Sequence, residues 1–235
     1  MHTGLNDEFR LDPLRRMTVF VGAYGSGKSE VSVNFALWLA TLGSTAIADL
    51  DIINPFYRSA DAAGMLEQAG VRLVKPVFAN TNVDIPSFGG DVFSLFDGSA
   101  RHAVLDIGGE DLGARVVSSL RPRFTPADTA LYMVVNLYRP FTADADGIVR
   151  AAAMLTEAAG LPLAGLVDNT NLLGEEEAGS ISASLDETRA AARTVGVPLV
   201  FRAALDEQAP RSWGNRMPDG TPLLRMRRTI GYSFS

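Results

Sequence analysis

Short apolar runs alternate along this chain with longer segments in which apolar residues recur every three or four positions. The runs are Met17 to Val21, Thr45 to Ala48, Val71 to Val74, Ala103 to Leu105, Thr129 to Val135, Leu163 to Val167 and Pro198 to Ala203. Each is brief and apolar on both faces, as a buried parallel strand is. Between the first two, Glu30 to Leu42 puts Val31, Phe35, Trp38, Leu39 and Leu42 on one helical face, and Gly43 closes it. Residues 59–69 predict a short helix ended by Gly70, Asp91 to Phe96 one or two helical turns, and Glu110 to Ser119 a further helix whose first acidic residues oppose its dipole. Thr142 or Asp144 can cap a helix over Ala145 to Ala159 that Gly160 ends, and Ser180 to Val195 reads as the last helix. Strict alternation predicts an α/β fold: a doubly wound, mostly parallel sheet with helices on both faces, in three layers.

That unit occupies residues 17–209 of the 235, after an arm over 1–16 that is flexible or loosely docked and before a tail over 210–235. In the tail Arg225, Arg227 and Arg228 cluster while Leu223, Met226 and Ile230 fall at helical spacing. The expectation there is a short basic amphipathic helix, packed on the domain's own surface in preference to an anionic membrane.

The chemistry concentrates where the first strand ends. Val19 to Ser29, VFVGAYGSGKS, carries a GxxxxGKS loop between a strand and a helix, the setting in which backbone N–H groups curl round a phosphate. Lys28 supplies a point charge, Ser29 a hydroxyl for Mg²⁺, and the helix N-terminus adds to anion affinity. The candidate nucleotide-binding residues here are Gly22, Ala23, Tyr24, Gly25, Ser26, Gly27, Lys28, Ser29 and Glu30. Two carboxylate clusters then leave strands on the same expected edge, where open α/β sheets bind ligands. Asp49-Leu50-Asp51 leads into residues 52–58, a switch-like segment or a core plug; His102 to Asp111, HAVLDIGGED, offers Asp106 for Mg²⁺ and Gly109 to sense a terminal phosphate, or a capped strand-to-helix turn. Asp168-Asn169-Thr170-Asn171 follows another strand, and an asparagine there either reads a purine edge, as donor and acceptor together, or builds a turn. His102 and Trp38 read as structural, and residues 76–90 as an irregular connection.

Composition narrows the function. The net charge of −6 gives no general attraction to nucleic acid. With no cysteine and two histidines, thiolate or histidine-built metal sites and disulfides within the chain are not expected. No apolar run spans a bilayer and residues 1–16 do not look like a secretion signal, so a cytoplasmic location is expected.

Together GAYGSGKS, ADLD, LDIGGED and LVDNTN resemble the P-loop NTPases of the MinD/ParA/CobQ type, within the wider class that also holds signal-recognition GTPases, over roughly residues 17–205. The resemblance implies that Lys28 and Ser29 serve phosphate and Mg²⁺, that Asp49 supports the metal, that Asp51 positions the attacking water, that Asp106 holds Mg²⁺ through water, and that Asn169 reads adenine. Catalytic roles then fall to Lys28 and Asp51. Ala23 stands where many relatives carry a lysine that reaches across a nucleotide-sandwich dimer, and the absent cysteines disfavour roles in iron–sulfur or nickel chemistry. The expected function is a Mg²⁺-dependent ATPase whose nucleotide state switches its contact with a protein partner or within a homodimer. Its alternatives are a GTPase of the same class, an ATP-dependent kinase or ligase acting on a small metabolite, and a nucleotide-sensing module without turnover. Arg58, Arg115 and Arg139 are candidates for a further positive charge.

Overall fold

An apolar run becomes an interior strand when a core lies on each of its faces, and that is how the sheet is built. The structure, a computed structural model, describes residues 4–50, 62–74, 90–108, 110–171 and 178–229, the side chains of 110–112, 114, 178–180 and 183 excepted. In chain order the elements are β1 (Met17–Val21), α1 (Lys28–Ala40), β2 (Thr45–Leu50), α2 (Ala63–Gln68), β3 (Arg72–Val74), α3 (Gly90–Phe93), β4 (His102–Ile107), α4 (Glu110–Leu120), β5 (Thr129–Val135), α5 (Ala145–Ala159), β6 (Gly165–Asp168), α6 (Ala178–Val195), β7 (Leu199–Leu205) and β8 (Leu223–Met226). Among the described residues these strands form one sheet in the order β3-β2-β4-β1-β5-β6-β7-β8, every neighbouring pair parallel. β1 therefore lies between β4 and β5, with a strand wall on either side of whatever its carboxyl end presents.

Side chains alternate between the two faces. Met17, Val19 and Val21 of β1 join Leu105, Leu131 and Met133 in a core closed by Val116 and Val117 of α4 and Ile148 and Ala152 of α5. Phe20 points the other way, into a core shared with Ile47, Val104 and Val134 and closed by Val31, Phe35, Trp38 and Leu39 of α1. The expected stripe on α1 is there, with one change: the helix stops at Ala40, and Leu42 lies beyond it and is exposed. α5 forms as its local signals dictate, with the Asp144 carboxylate accepting from the Gly147 N–H at 2.7 Å and Gly160 closing the helix in the left-handed conformation.

Two expectations about the ends of the chain are corrected. The tail does not form a helix over 223–229, the described part of that stretch; Leu223–Met226 is an eighth strand, parallel to β7, with all its residues buried. Strand pairing wins because Leu223, Leu224 and Met226 find apolar cores, and because the Arg225 guanidinium is satisfied by the Gly214 carbonyl at 2.6 Å and the Asp206 carboxylate at 2.8 Å. Among the described residues no helix is long and apolar enough to cross a membrane. The arm is anchored as well. Phe9 is fully buried, edge-on to Trp38 at 4.7 Å and to Phe201 at 5.5 Å, and the Asn6 side chain bonds the backbone of Arg225 in both directions, at 2.9 and 3.0 Å.

Candidate nucleotide-binding site

β1 ends at Val21 and α1 begins at Lys28, so residues 22–27 turn the chain across the carboxyl edge of the sheet. Two glycines make that path possible. At Gly22, φ 156°, a Cβ would lie 2.5 Å from the Val134 carbonyl oxygen; at Gly27, φ 80°, one would lie 2.3 Å from the side-chain nitrogen of Asn169. Any larger residue would push the loop off its neighbours. Gly27 is the N-cap of α1, and among the described residues no side chain caps that helix. Its first N–H groups thus remain for an anion. Lys28 and Ser29 lie on that first turn, both almost fully buried.

The metal candidates converge by register. Asp49 of β2 pairs with Asp106 of β4, and Asp106 pairs on its other side with Phe20 of β1, one residue before the strand that carries the loop ends. Asp106 is 1% exposed. A serine hydroxyl and two carboxylates at the ends of adjoining strands are hard oxygen donors, a set that fits Mg²⁺. When bound, the ion would neutralise phosphate charge, with Ser29, Asp49 and Asp106 to hold it. Asp51 and Gly109, and with them segment 51–58 and most of loop 76–90, lie outside the described residues.

On the other flank the loops after β5 and β6 meet the phosphate loop. Asn169 is buried; its amide donates to the Ser26 carbonyl at 2.8 Å, and its N–H donates to the Val135 carbonyl at 2.8 Å. Its Oδ1 and the Ser26 hydroxyl are buried with no hydrogen-bond partner among the described residues, the kind of unmet valence that a bound polar ligand satisfies. Asn136, not singled out by sequence, ties the two loops: its amide donates to the Asn171 carbonyl at 3.2 Å. Glu30 turns toward the tail, where its carboxylate accepts from the backbone N–H and, at 3.0 Å, from the hydroxyl of Thr229.

Sequence reasoning missed what holds Asn169 in place. Asp168 belongs to β6 itself; it is fully buried and ion-paired to Arg202 of β7, also fully buried. Its Oδ1 also accepts from the Thr170 N–H at 2.9 Å and its Oδ2 from the Thr188 hydroxyl at 2.8 Å. The available signal was an arginine inside an apolar run, which marks a buried pair more often than a solvated head. Between these loops opens a cavity of about 400 Å³, lined by the phosphate loop, Glu30, Asn136, Asn169 and Asn171, and by Leu205, Met226 and Arg228 from the ends of β7 and β8. That volume lies in the range of small-molecule sites, ~300–1,000 Å³.

The chain is similar in structure to the cell division protein FtsY of Thermotoga maritima, with a TM-score of 0.54 and 16% identity over 87% of this chain and 65% of that one. It is similar to the 54 kDa signal recognition particle protein of Aeropyrum pernix K1 in complex with GDP, with a TM-score of 0.51 and 16% identity over 82% and 42% of the two chains. It is also similar to FlhF complexed with GTP and Mg²⁺, with a TM-score of 0.50 and 14% identity over 82% and 67%. The chain thus spans about two thirds of the length of FtsY and less than half of the signal recognition protein. No protein-family profile matches the sequence, and neither does any curated protein sequence. The fold is the α/β/α fold of the P-loop NTPases, in the form these three structures share. The narrower MinD/ParA likeness rests on the sequence motifs alone.

Proposed function

We propose that the protein is a Mg²⁺-dependent purine nucleoside triphosphatase whose nucleotide state switches its contact with a protein partner or a second copy of itself. The observation that carries this reading is the phosphate loop held open over the uncapped end of α1, with Asn169 pinning it at Ser26. Lys28, the loop amides and a bound Mg²⁺ would counter charge on the transferred phosphoryl group, and Asp51 would orient the attacking water. Guanine is the first candidate for the base, since GDP and GTP are named in the complexes of two similar structures. Adenine is the second, favoured by two observations. The asparagine sequence here, NTN followed by Leu172, lacks the aspartate of an NKxD guanine reader. The buried Asn169 Oδ1 is moreover an acceptor suited to an exocyclic amino group at the purine 6-position.

The test is calorimetric titration with Mg²⁺ and non-hydrolysable GTP and ATP analogues, then turnover assays with whichever binds. Tight binding of one nucleotide with slow basal hydrolysis is expected. Lys28→Ala should weaken triphosphate binding or abolish turnover, and normal kinetics in that variant would remove the loop from the reaction.

A further inference from the structure

One cation near the loop is not part of the P-loop motif and is neutralised by no carboxylate among the described residues. Arg139 lies in the connection after β5, and its backbone is fixed from both sides. Its N–H donates to the Asn136 carbonyl at 3.1 Å, the Thr142 hydroxyl donates to that same carbonyl at 2.7 Å, and the Asn136 side-chain oxygen accepts from the Tyr138 N–H at 3.0 Å. Pro140 then opens a short 3-10 turn to Thr142. From this platform the side chain reaches back to the phosphate loop, where Nε donates to the Gly25 carbonyl at 2.7 Å. The contact is close: a Cβ on Gly25 would sit 2.8 Å from Nε and 3.1 Å from Cζ.

Nε thus serves the loop, and the two terminal guanidinium nitrogens make no hydrogen bond among the described residues. Arg139 has no ion-pair partner among them either, and it lines the cavity beside Tyr24, Gly25 and Phe141. A guanidinium tied through Nε to a phosphate loop, on the wall of the adjoining cavity, has its two terminal nitrogens left for bidentate contact with phosphate oxygens. Of the other two arginines considered from sequence, Arg115 is exposed on α4 and Arg58 lies outside the described residues. The loop itself carries one lysine, Lys28, and its second position is Ala23.

We propose that Arg139 supplies, within the same chain, the second positive charge on the transferred phosphoryl group. The inference rests on the nucleotide reading of the site. In the reaction the water oxygen forms the new bond to the terminal phosphorus. The bridging P–O bond breaks with its electron pair going to the nucleoside diphosphate; one water proton stays on the attacking oxygen and the other passes to an oxygen of the phosphate released, which gives it up to solvent. Arg139 forms no covalent bond; its guanidinium offsets the charge that gathers on the bridging and terminal oxygens, where a preorganised donor counts most.

The experiment uses the full chain, with whichever of GTP or ATP the wild type binds, and the variants Arg139→Ala, Arg139→Gln and Arg139→Lys. The glutamine amide can still donate to the Gly25 carbonyl but carries no charge. Turnover of both the alanine and glutamine variants should fall about 10³-fold, the low end of what a positioned arginine contributes to phosphoryl transfer. Diphosphate affinity should stay unchanged, and added guanidinium ion should restore part of the alanine variant's turnover. If wild-type turnover is too slow to follow, binding of the Mg²⁺ diphosphate with aluminium fluoride, a mimic of the transferred group, should be lost in the same variants. Wild-type turnover or analogue binding by Arg139→Gln would reduce the arginine to a structural pin and overturn the proposal, as would equal losses of diphosphate and triphosphate affinity. Failure of the wild type itself to bind either nucleotide would overturn the nucleotide reading and this inference with it.

Discussion

Among the described residues Arg202 is the largest side chain that is fully buried, and replacing it tests how the Asn169 side of the candidate site is held. Its guanidinium pairs with Asp168 and donates to the Ser184 hydroxyl at 3.3 Å. In Arg202→Met the apolar stem is kept and the charge removed. The Asp168 carboxylate then remains at 0% exposure with only the Thr170 N–H and the Thr188 hydroxyl to hold it. Leaving one member of such a pair costs about 3–5 kcal/mol, a large share of the ~5–15 kcal/mol by which domains are stable. The pair itself need not be stabilising, because removing both charges avoids the stranded carboxylate. Asp168→Asn with Arg202→Met keeps an acceptor for the Thr170 N–H, and should therefore be more stable than Arg202→Met alone by ~2 kcal/mol or more. Urea unfolding followed by circular dichroism, with equal slopes across the set, measures both differences. A single variant that loses under about 1 kcal/mol, or a double no more stable than the single, would refute the reasoning. Because Asn169 and Asn171 follow Asp168 directly, nucleotide affinity should fall in Arg202→Met even where the protein stays folded.

Two further perturbations read the site and the sheet. Gly27→Ala forces a left-handed φ of 80° on a residue with a Cβ, at a cost of ~1–2 kcal/mol, and drives that Cβ into Asn169. Nucleotide affinity should drop, and Asn169→Ala should cost less affinity in that background than in the wild type, because the clash has already displaced the side chain; strictly additive effects in calorimetry would mean the two residues do not touch. The second concerns pH. Burial pushes the His102 imidazole below its usual 6.5, with the neighbouring Arg101 charge adding to the effect, and both ring nitrogens are buried without partners among the described residues. The unfolded chain therefore binds the proton more readily than the folded one. The stability linked to this group is fully present above about pH 6.5 and is lost as pH falls through the lower folded value. His102→Gln should flatten the fall of unfolding free energy as pH drops below about 6.5, and an unchanged slope would assign it to other groups.

What the sequence discloses is what local chemistry decides. β5 and α5 lie where the apolar run, the Asp144 cap and Gly160 put them, because each signal acts within a few residues. The phosphate loop is legible for the same reason, its glycines answering backbone angles that no other residue adopts easily. The pairing of Asp49 with Asp106 is different. Both residues stand out at strand ends, yet only the order β2-β4-β1 makes them neighbours, and nothing in either segment states that order. Asp168 shows the limit more sharply. Beside a run of asparagines it reads as the start of a turn, and its role depends on an arginine 34 residues away.

The tail marks where such reasoning fails and what the failure hides. Leu223, Met226 and Ile230 fit a helical spacing, and Leu223-Leu224-Arg225-Met226 fits a buried edge strand only if an arginine can be buried. Counting Arg225 as surface chose the helix. In the fold its guanidinium donates to the carbonyls of Gly214 and Ala209 and to the carboxylate of Asp206, which lies 19 residues away, so its charge is compensated inside. Once β8 is in the sheet, the next residues must cross α1. The Arg227 N–H donates to Asn34 Oδ1 at 2.8 Å, the Asn34 amide returns a bond to the Arg227 carbonyl at 3.0 Å, and Thr229 meets Glu30. Asn34 and Glu30 stand within two turns of Lys28, so the segment set aside as a tail is fastened to the helix that the phosphate loop opens. Met226 and Arg228 complete the cavity wall from that side. Displacing residues 227–229 must therefore break their bonds to α1 and take Arg228 from the cavity wall, which couples the end of the described chain to the candidate site by contacts rather than by proximity alone.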